Sequence, residues 1–173
     1  FDFFPDSTNS LNYFIRRPWK YGEEYRIEVD SAAIHSLYGK WNDFFTGEFK
    51  IKKEDEYGHL YLNINGVDTT AFVELLSSGD APVRKAKVKD GGVLFMDLKP
   101  DKYYARIVID TNGNGVWDTG NYIKKRQPEE VYYSPKMYEI MQNWQVEETW
   151  NVNSTPLAKQ KPLEITKNKP KEA

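Results

Sequence analysis

The chain has 173 residues, 24 basic and 26 acidic side chains, a net charge of -2 and no cysteine. That near balance gives no electrostatic ground for binding nucleic acid or an anionic membrane surface, and the missing thiols exclude disulfides, thiolate metal sites and cysteine nucleophiles. No stretch reaches the roughly 18 apolar residues of a membrane-spanning helix, and a 15% aromatic content favours strands, whose pleated surface suits flat side chains.

The chain opens at Phe1 without a methionine, which reads as a mature chain or fragment from which a signal peptide and upstream domains have been removed. The first clear element is Tyr25-Arg26-Ile27-Glu28-Val29, whose alternation of apolar and polar side chains predicts a half-exposed strand. Ser31 to Tyr38 carries Ala32, Ala33, Ile34 and Leu37 at near-helical spacing but is closed by Gly39, so one helical turn is the most it supports. Gly47 to Lys52 alternates again and ends in the charged run Lys52 to Glu56. We place a domain junction in that run, with residues 1–53 before it.

The period of two restarts at His59 to Asn65. Strands are then predicted over Ala71 to Leu76, Val83 to Val88, Val93 to Leu98 and Tyr103 to Ile109, punctuated by Ser77-Ser78-Gly79-Asp80, Asp90-Gly91-Gly92 and Pro100-Asp101. Tyr122 to Lys125, Glu130 to Tyr133 and Met137 to Val146 read as further strands. Seven or so short strands with turns between them argue a β-sandwich over residues 57–150. The stretch 151–173 is rich in Lys and Pro and predicts an extended or disordered tail.

Between the predicted strands lies Asp110-Thr111-Asn112-Gly113-Asn114-Gly115-Val116-Trp117-Asp118. Oxygen-bearing side chains at alternate positions followed by glycine are how a chain wraps a hard cation. The calcium loop of the EF-hand draws oxygens from positions 1, 3, 5, 7 and 9, with glycine at 6 for the sharp turn. Asp110, Asn112, Asn114, the Val116 carbonyl and Asp118 match the ligand places and Gly115 the turn. Position 12 is Asn121, so the bidentate glutamate is missing, and only a weak calcium site is implied unless Glu129 or Glu130 folds back. The alternative needs no metal: the Asn-Gly steps supply left-handed backbone for a tight turn, with Asp110 and Asn112 accepting from backbone N–H groups.

The run Phe95 to Pro100, then Tyr103-Tyr104-Ala105-Arg106, then this turn, then Arg126-Gln127-Pro128-Glu129 is similar to the C-terminal region of Ig-like-domain surface proteins, many of them lipoproteins, of Bacteroides-type bacteria. The resemblance spans most of residues 19–170. It implies an all-β, antiparallel Ig-like or transthyretin-like β-sandwich preceded by a partial Ig-like unit: residues 19–53 resemble closing Ig-like strands, and residues 57–150 a transthyretin-like or collagen-adhesin B-type sandwich. The glycine expected after Pro100 is Asp101, which also tolerates turn geometry. The glutamate that marks a Lys-to-Asn isopeptide bond in collagen adhesins has no counterpart in 103–110, so no such bond is expected. The resemblance also implies an extracytoplasmic address, in the periplasm or at the outer membrane and cell surface, with lipid anchoring through an upstream segment. Asp6-Ser7-Thr8, Asp30-Ser31-Ala32 and Asp68-Thr69-Thr70 resemble the short O-glycosylation signals of such envelope proteins.

Other candidate chemistry is thin. His35 and His59 fall in different units with no nucleophile or acid arranged beside them. Glu129 and Glu130 are neighbours on a predicted strand entry and would point to opposite faces. Exposed Trp41, Trp144, Tyr132 and Tyr133 are candidates for stacking on sugar rings, as are Trp19, Trp117 and Trp150. The competing reading is that most aromatics are core, because each carries so much buried area. The function these features imply is a non-enzymatic display or protein-interaction module at the envelope. The alternative is a carbohydrate-binding module. The partner would be a surface protein or a glycan.

Overall fold

A computed structural model describes residues 2–6, 11–67, 70–123 and 125–165. Among the described residues strand makes up 47% and helix 6%, so the fold is all-β. The fold divides into two compact units, Phe1–Glu54 and Asp55–Ala173, the division falling inside the charged run Lys52 to Glu56. Ser7, Thr8, Asp68 and Thr69 of the glycosylation-like strings lie outside the described residues.

The first unit holds two separate antiparallel hairpins, β1 (Asp2–Pro5) with β2 (Tyr13–Arg16) and β3 (Glu24–Val29) with β4 (Phe45–Lys50). The β1–β2 pair was not anticipated; its segments are only four residues long, too short for alternation to register. In β3–β4 the alternation places Tyr25 opposite Phe49, Ile27 opposite Gly47 and Val29 opposite Phe45. Trp19 packs edge-on against Tyr25 and Phe49, at centroid distances of 4.9 and 5.3 Å. The segment after β3 forms turns rather than helix. There the Asn42 side chain accepts from the Ile34 N–H at 2.7 Å and donates to the Asp30 carbonyl at 2.8 Å. No described residue of this unit is buried.

The second unit is a two-layer sandwich. One sheet has the order β12 (Gln145–Asn151), β5 (Gly58–Asn65), β8 (Gly92–Leu98). The other runs β10 (Val131–Tyr133), β9 (Asp101–Ile109), β6 (Ala71–Leu76), β7 (Pro82–Lys87), with β11 (Tyr138–Ile140) also paired to β9. Alternation explains the core: Leu60, Leu62 and Ile64 from β5 and Phe95 from β8 meet Val73 and Leu75 from β6 and Ala105 and Ile107 from β9. The predicted strand Met137 to Val146 is in fact two strands in different sheets, separated by a turn in which the Trp144 N–H donates to the Met141 carbonyl at 3.3 Å. The second of them, β12, pairs parallel to β5, the single parallel pairing among the described strands. Tyr122 to Lys125 is not a strand over its described residues; Asn121 and Arg126 bridge across a turn instead.

The five-stranded sheet is covered on both faces. Its outward residues form rows set by register: Phe72 beside Val108, Glu74 beside Arg106, Leu76 beside Tyr104. At one end Leu76 and Tyr104 pack with Ile165 and Tyr133, which corrects the expectation of an extended or disordered tail over residues 151–165; the rest of that stretch, 166–173, lies outside the described residues. Val152, Gln160 and Ile165 are buried, through a short helix α1 (Leu157–Gln160) and a 3-10 turn at Leu163–Ile165. Lys and Pro content misled because a few well-spaced apolar side chains suffice to dock a strap onto an apolar sheet face. The Gln160 side chain accepts from the Tyr133 N–H at 3.1 Å and donates to the Val152 carbonyl at 3.1 Å. Lys161 pairs with Asp80 at 2.7 Å. Mid-sheet, Arg106 meets Glu74 at 2.7 Å. Burial alone would lower the pKa of Arg106, but hydrogen bonds to Tyr133 and Glu74 more than offset it and the guanidinium is held above its ordinary value.

Candidate functional site

The Asp110 loop leaves the end of β9 at the Phe72 row. Asp110 is tied to the neighbouring segment by its own N–H donating to the Thr70 carbonyl at 3.0 Å and by the Thr70 hydroxyl donating to the Asp110 carbonyl at 2.5 Å. From β7, the Lys85 ammonium stands 5.1 Å from the centre of the Phe72 ring and donates to the Gly115 carbonyl at 2.7 Å. The loop is therefore held at the end of the outer sheet face opposite the C-terminal strap.

Within the loop, carboxylates organise backbone N–H groups. Asp110 is buried, and its two oxygens accept from the Asn114 N–H at 3.1 Å and the Gly115 N–H at 2.8 Å. Gly113 and Gly115 take positive φ, 71° and 74°, the conformation glycine adopts without steric cost. Asn112 accepts from the Asn114 N–H at 2.9 Å, and Asn114 from the Val116 N–H at 2.7 Å, so each asparagine closes a turn on the residue two places ahead. The amide groups of Asn112 and Asn114 both donate to Asp118 Oδ2, Asn114 at 3.2 Å. Val116 is exposed.

Glu129 does fold back on the loop. Its buried carboxylate accepts from the Thr111 N–H at 2.9 Å and hydroxyl at 3.0 Å through one oxygen, and from the Asp118 N–H at 3.1 Å through the other. The Trp117 indole N–H donates to the Glu129 carbonyl at 3.0 Å, while the ring stays half exposed. The structure thus brings Asp110, Asn112, Asn114 and Asp118 into one oxygen-rich turn, with Glu129 as a clasp across its base. Thr70, Thr111 and Lys85 complete the clasp and carry no local sequence signal, since their roles depend on strands far away in the chain.

The donor set is all oxygen, as a hard cation requires. Each carboxylate oxygen of Asp110 keeps a lone pair beyond the one used by its N–H donor. Among the described residues, however, no three His, Cys, Asp or Glu side chains gather as a metal-holding group. A cation at Asp118 would also displace the two amide donors now bonded there. The residues present therefore fit calcium only weakly.

The four aromatic candidates are divided between the two units. Trp41 belongs to the first unit, where it is exposed and lies 4.3 Å from the His35 ring. Trp144 is half exposed in the second unit, its carbonyl accepting from the His59 N–H at 2.8 Å. Tyr132 and Tyr133 are neighbours on β10 and face opposite ways: Tyr132 packs on the sandwich core, Tyr133 on the Leu76–Ile165 cluster. Trp150 is core and Trp19 packs in the β3–β4 hairpin. His59 accepts the Asp97 N–H at 3.3 Å, stitching a bulge where Asp97 has φ 55°.

No protein-family model matches the chain, and no curated protein matches it.

Proposed function

We propose that the chain is a non-enzymatic, envelope-exposed β-sandwich module that displays or spaces a binding surface for another macromolecule, and that its Asp110 loop takes up calcium weakly. The observation that carries this reading is the double cover of the five-stranded sheet. A strap fastened at Gln160, Lys161 and Ile165 closes one end of its outer face, and a self-bonded loop clasped by Glu129 stands at the other. Such an investment in rigidity suits a spacer whose task is to hold its surface in a fixed shape.

The first unit supports the same reading from the opposite direction. With no described residue buried, its hairpins suit the closing strands of an Ig-like sandwich that is completed by strands from elsewhere, since a two-stranded hairpin is at best marginal in water. That agrees with the resemblance to Ig-like-domain surface proteins, and a transthyretin-like type for the second unit belongs to the same proposal. The address at the periplasm or cell surface, reached through a lipid-anchored upstream segment, belongs to this proposal. Antibody labelling of intact cells of the source organism tests it. Labelling of intact cells, or of cells in which the outer membrane alone has been opened, is the expected result, and labelling that appears only after lysis of the inner membrane sinks the reading.

A further inference from the structure

On the outer face of the three-stranded sheet one aromatic ring leans along the sheet and stays partly exposed. Tyr61 points away from the core in mid-β5, between Glu147 of β12 and Leu94 of β8. A Cβ built on Gly92 would come within 2.3 Å of the Tyr61 hydroxyl oxygen and 2.8 Å of its Cζ. The phenol therefore leans across the backbone of Gly92 in space that any other residue would fill, and 37% of Tyr61 remains exposed. This contact requires a residue without a Cβ at Gly92, where β8 begins.

The Tyr61–Leu94 pair forms a ridge between two clefts. The cleft toward β12 has a volume of about 460 Å³ and takes in His59, Met96, Gln145 and Glu147. The cleft toward β7 has a volume of about 520 Å³ and takes in Lys87, Lys89 and Gly92. Gln145 and Glu147 thus border the ridge on one side, and Lys89, in the turn before β8, borders it on the other. Glu147 already accepts one hydrogen bond, from the Asn63 amide at 3.0 Å, and retains acceptor capacity.

This charge pattern selects a class of ligand. A polyanion would meet Glu147 and a polycation would meet Lys89, whereas a polyol donates to the first and accepts from the second. The apolar face of a pyranose ring matches a phenol lying along the sheet, which offers a large rigid surface with a polar tip. We infer that this face binds a neutral sugar chain, with Tyr61 as its stacking platform and hydrogen bonds from the two flanks. The inference goes beyond the display reading, which requires no sugar and survives if none binds.

Electrophoresis of the full chain through gels containing mixed-linkage β-glucan, xylan, mannan or galactan tests it, with polygalacturonate as the charged comparison. Retardation by at least one neutral polysaccharide is expected. Tyr61→Ala should weaken that affinity about tenfold, the scale of a lost aromatic contact, while Tyr61→Phe stays within about threefold because it keeps the ring. Tyr61→Phe should melt as the parent does, and Tyr61→Ala, which loses the contacts of a partly covered ring but leaves the core intact, should still unfold in one cooperative transition. The inference is overturned by absence of retardation in all four neutral gels, by retardation in polygalacturonate alone, or by retardation that Tyr61→Ala leaves unchanged.

Discussion

Strands β3 and β4 of the first unit and strand β5 of the second follow the same alternation of apolar and polar side chains, but they meet different fates. On β5 the inward set Leu60, Leu62 and Ile64 is buried, whereas on β3 the corresponding set Tyr25, Ile27 and Val29 is only partly covered. Local pattern is enough to make a strand and to choose which face is apolar. Burying that face takes a second layer, and the described residues provide one only in the second unit. There a three-stranded sheet covers one side of the five-stranded sheet, and a loop and a strap hold the two ends of the other. Stability should therefore be distributed very unevenly along the chain.

The largest test of that contrast is a cavity in the sandwich. Trp150 on β12 is 4% exposed and packs in the main core, so Trp150→Ala should destabilise the second unit by about 3 to 5 kcal/mol, read from the shift of its denaturant midpoint. A loss below about 1 kcal/mol, the level of an ordinary substitution, would mean that the parallel strand β12 is not an integral part of the core.

Much of the sandwich was legible because β5, β6, β8 and β9 each show a strong apolar pattern bounded by turn residues. The same logic failed in identifiable places. Tyr122 and Ile123 look like strand residues but stand fully in solvent within a turn, since β propensity expresses fit to a neighbouring strand and none is there. The strap from 152 to 165 was hidden because its anchoring residues are scattered among Lys and Pro, and their value depends on a sheet face that only the tertiary fold creates. The loop was legible as a turn down to its individual donors, because Asx turns are local. Of its clasp to Thr70, Lys85 and Glu129, only the return of Glu129 or Glu130 to the loop was legible, as one option. Tyr61 was predicted to lie on a strand; that its ring reclines over Gly92 depends on the pairing of β5 with β8.

A smaller effect is expected at the Asp110 loop, where the second unit adds order to order. With a dissociation constant on the order of 1 mM, the extracellular grade of calcium site, 10 mM calcium should stabilise the second unit by about 1.4 kcal/mol. Thermal melts with calcium and with chelator measure this. The first unit carries no such loop, so its signal should not respond. Identical melts would show that Asp110, Asn112, Asn114 and Asp118 serve the turn alone, with their hydrogen bonds already complete.

The smallest effect is predicted in the hairpin, and it bears most directly on the contrast. Phe49 stacks on Tyr25 at 5.8 Å and meets Trp19, yet it joins no buried cluster. Phe49→Ala should leave the midpoint of the second unit within about 0.5 kcal/mol. In the parent chain, the amides of Glu24–Val29 and Phe45–Lys50 should exchange hydrogen orders of magnitude faster than those of Leu62, Val73 and Ile107, because opening the hairpin exposes little apolar surface not already in water. Equal protection in the two units would contradict this and show that the apolar side of β3 and β4 is covered in solution. Repeating the exchange at progressive dilution would then distinguish a cover supplied by a second copy, which dilution removes, from one supplied by the chain itself.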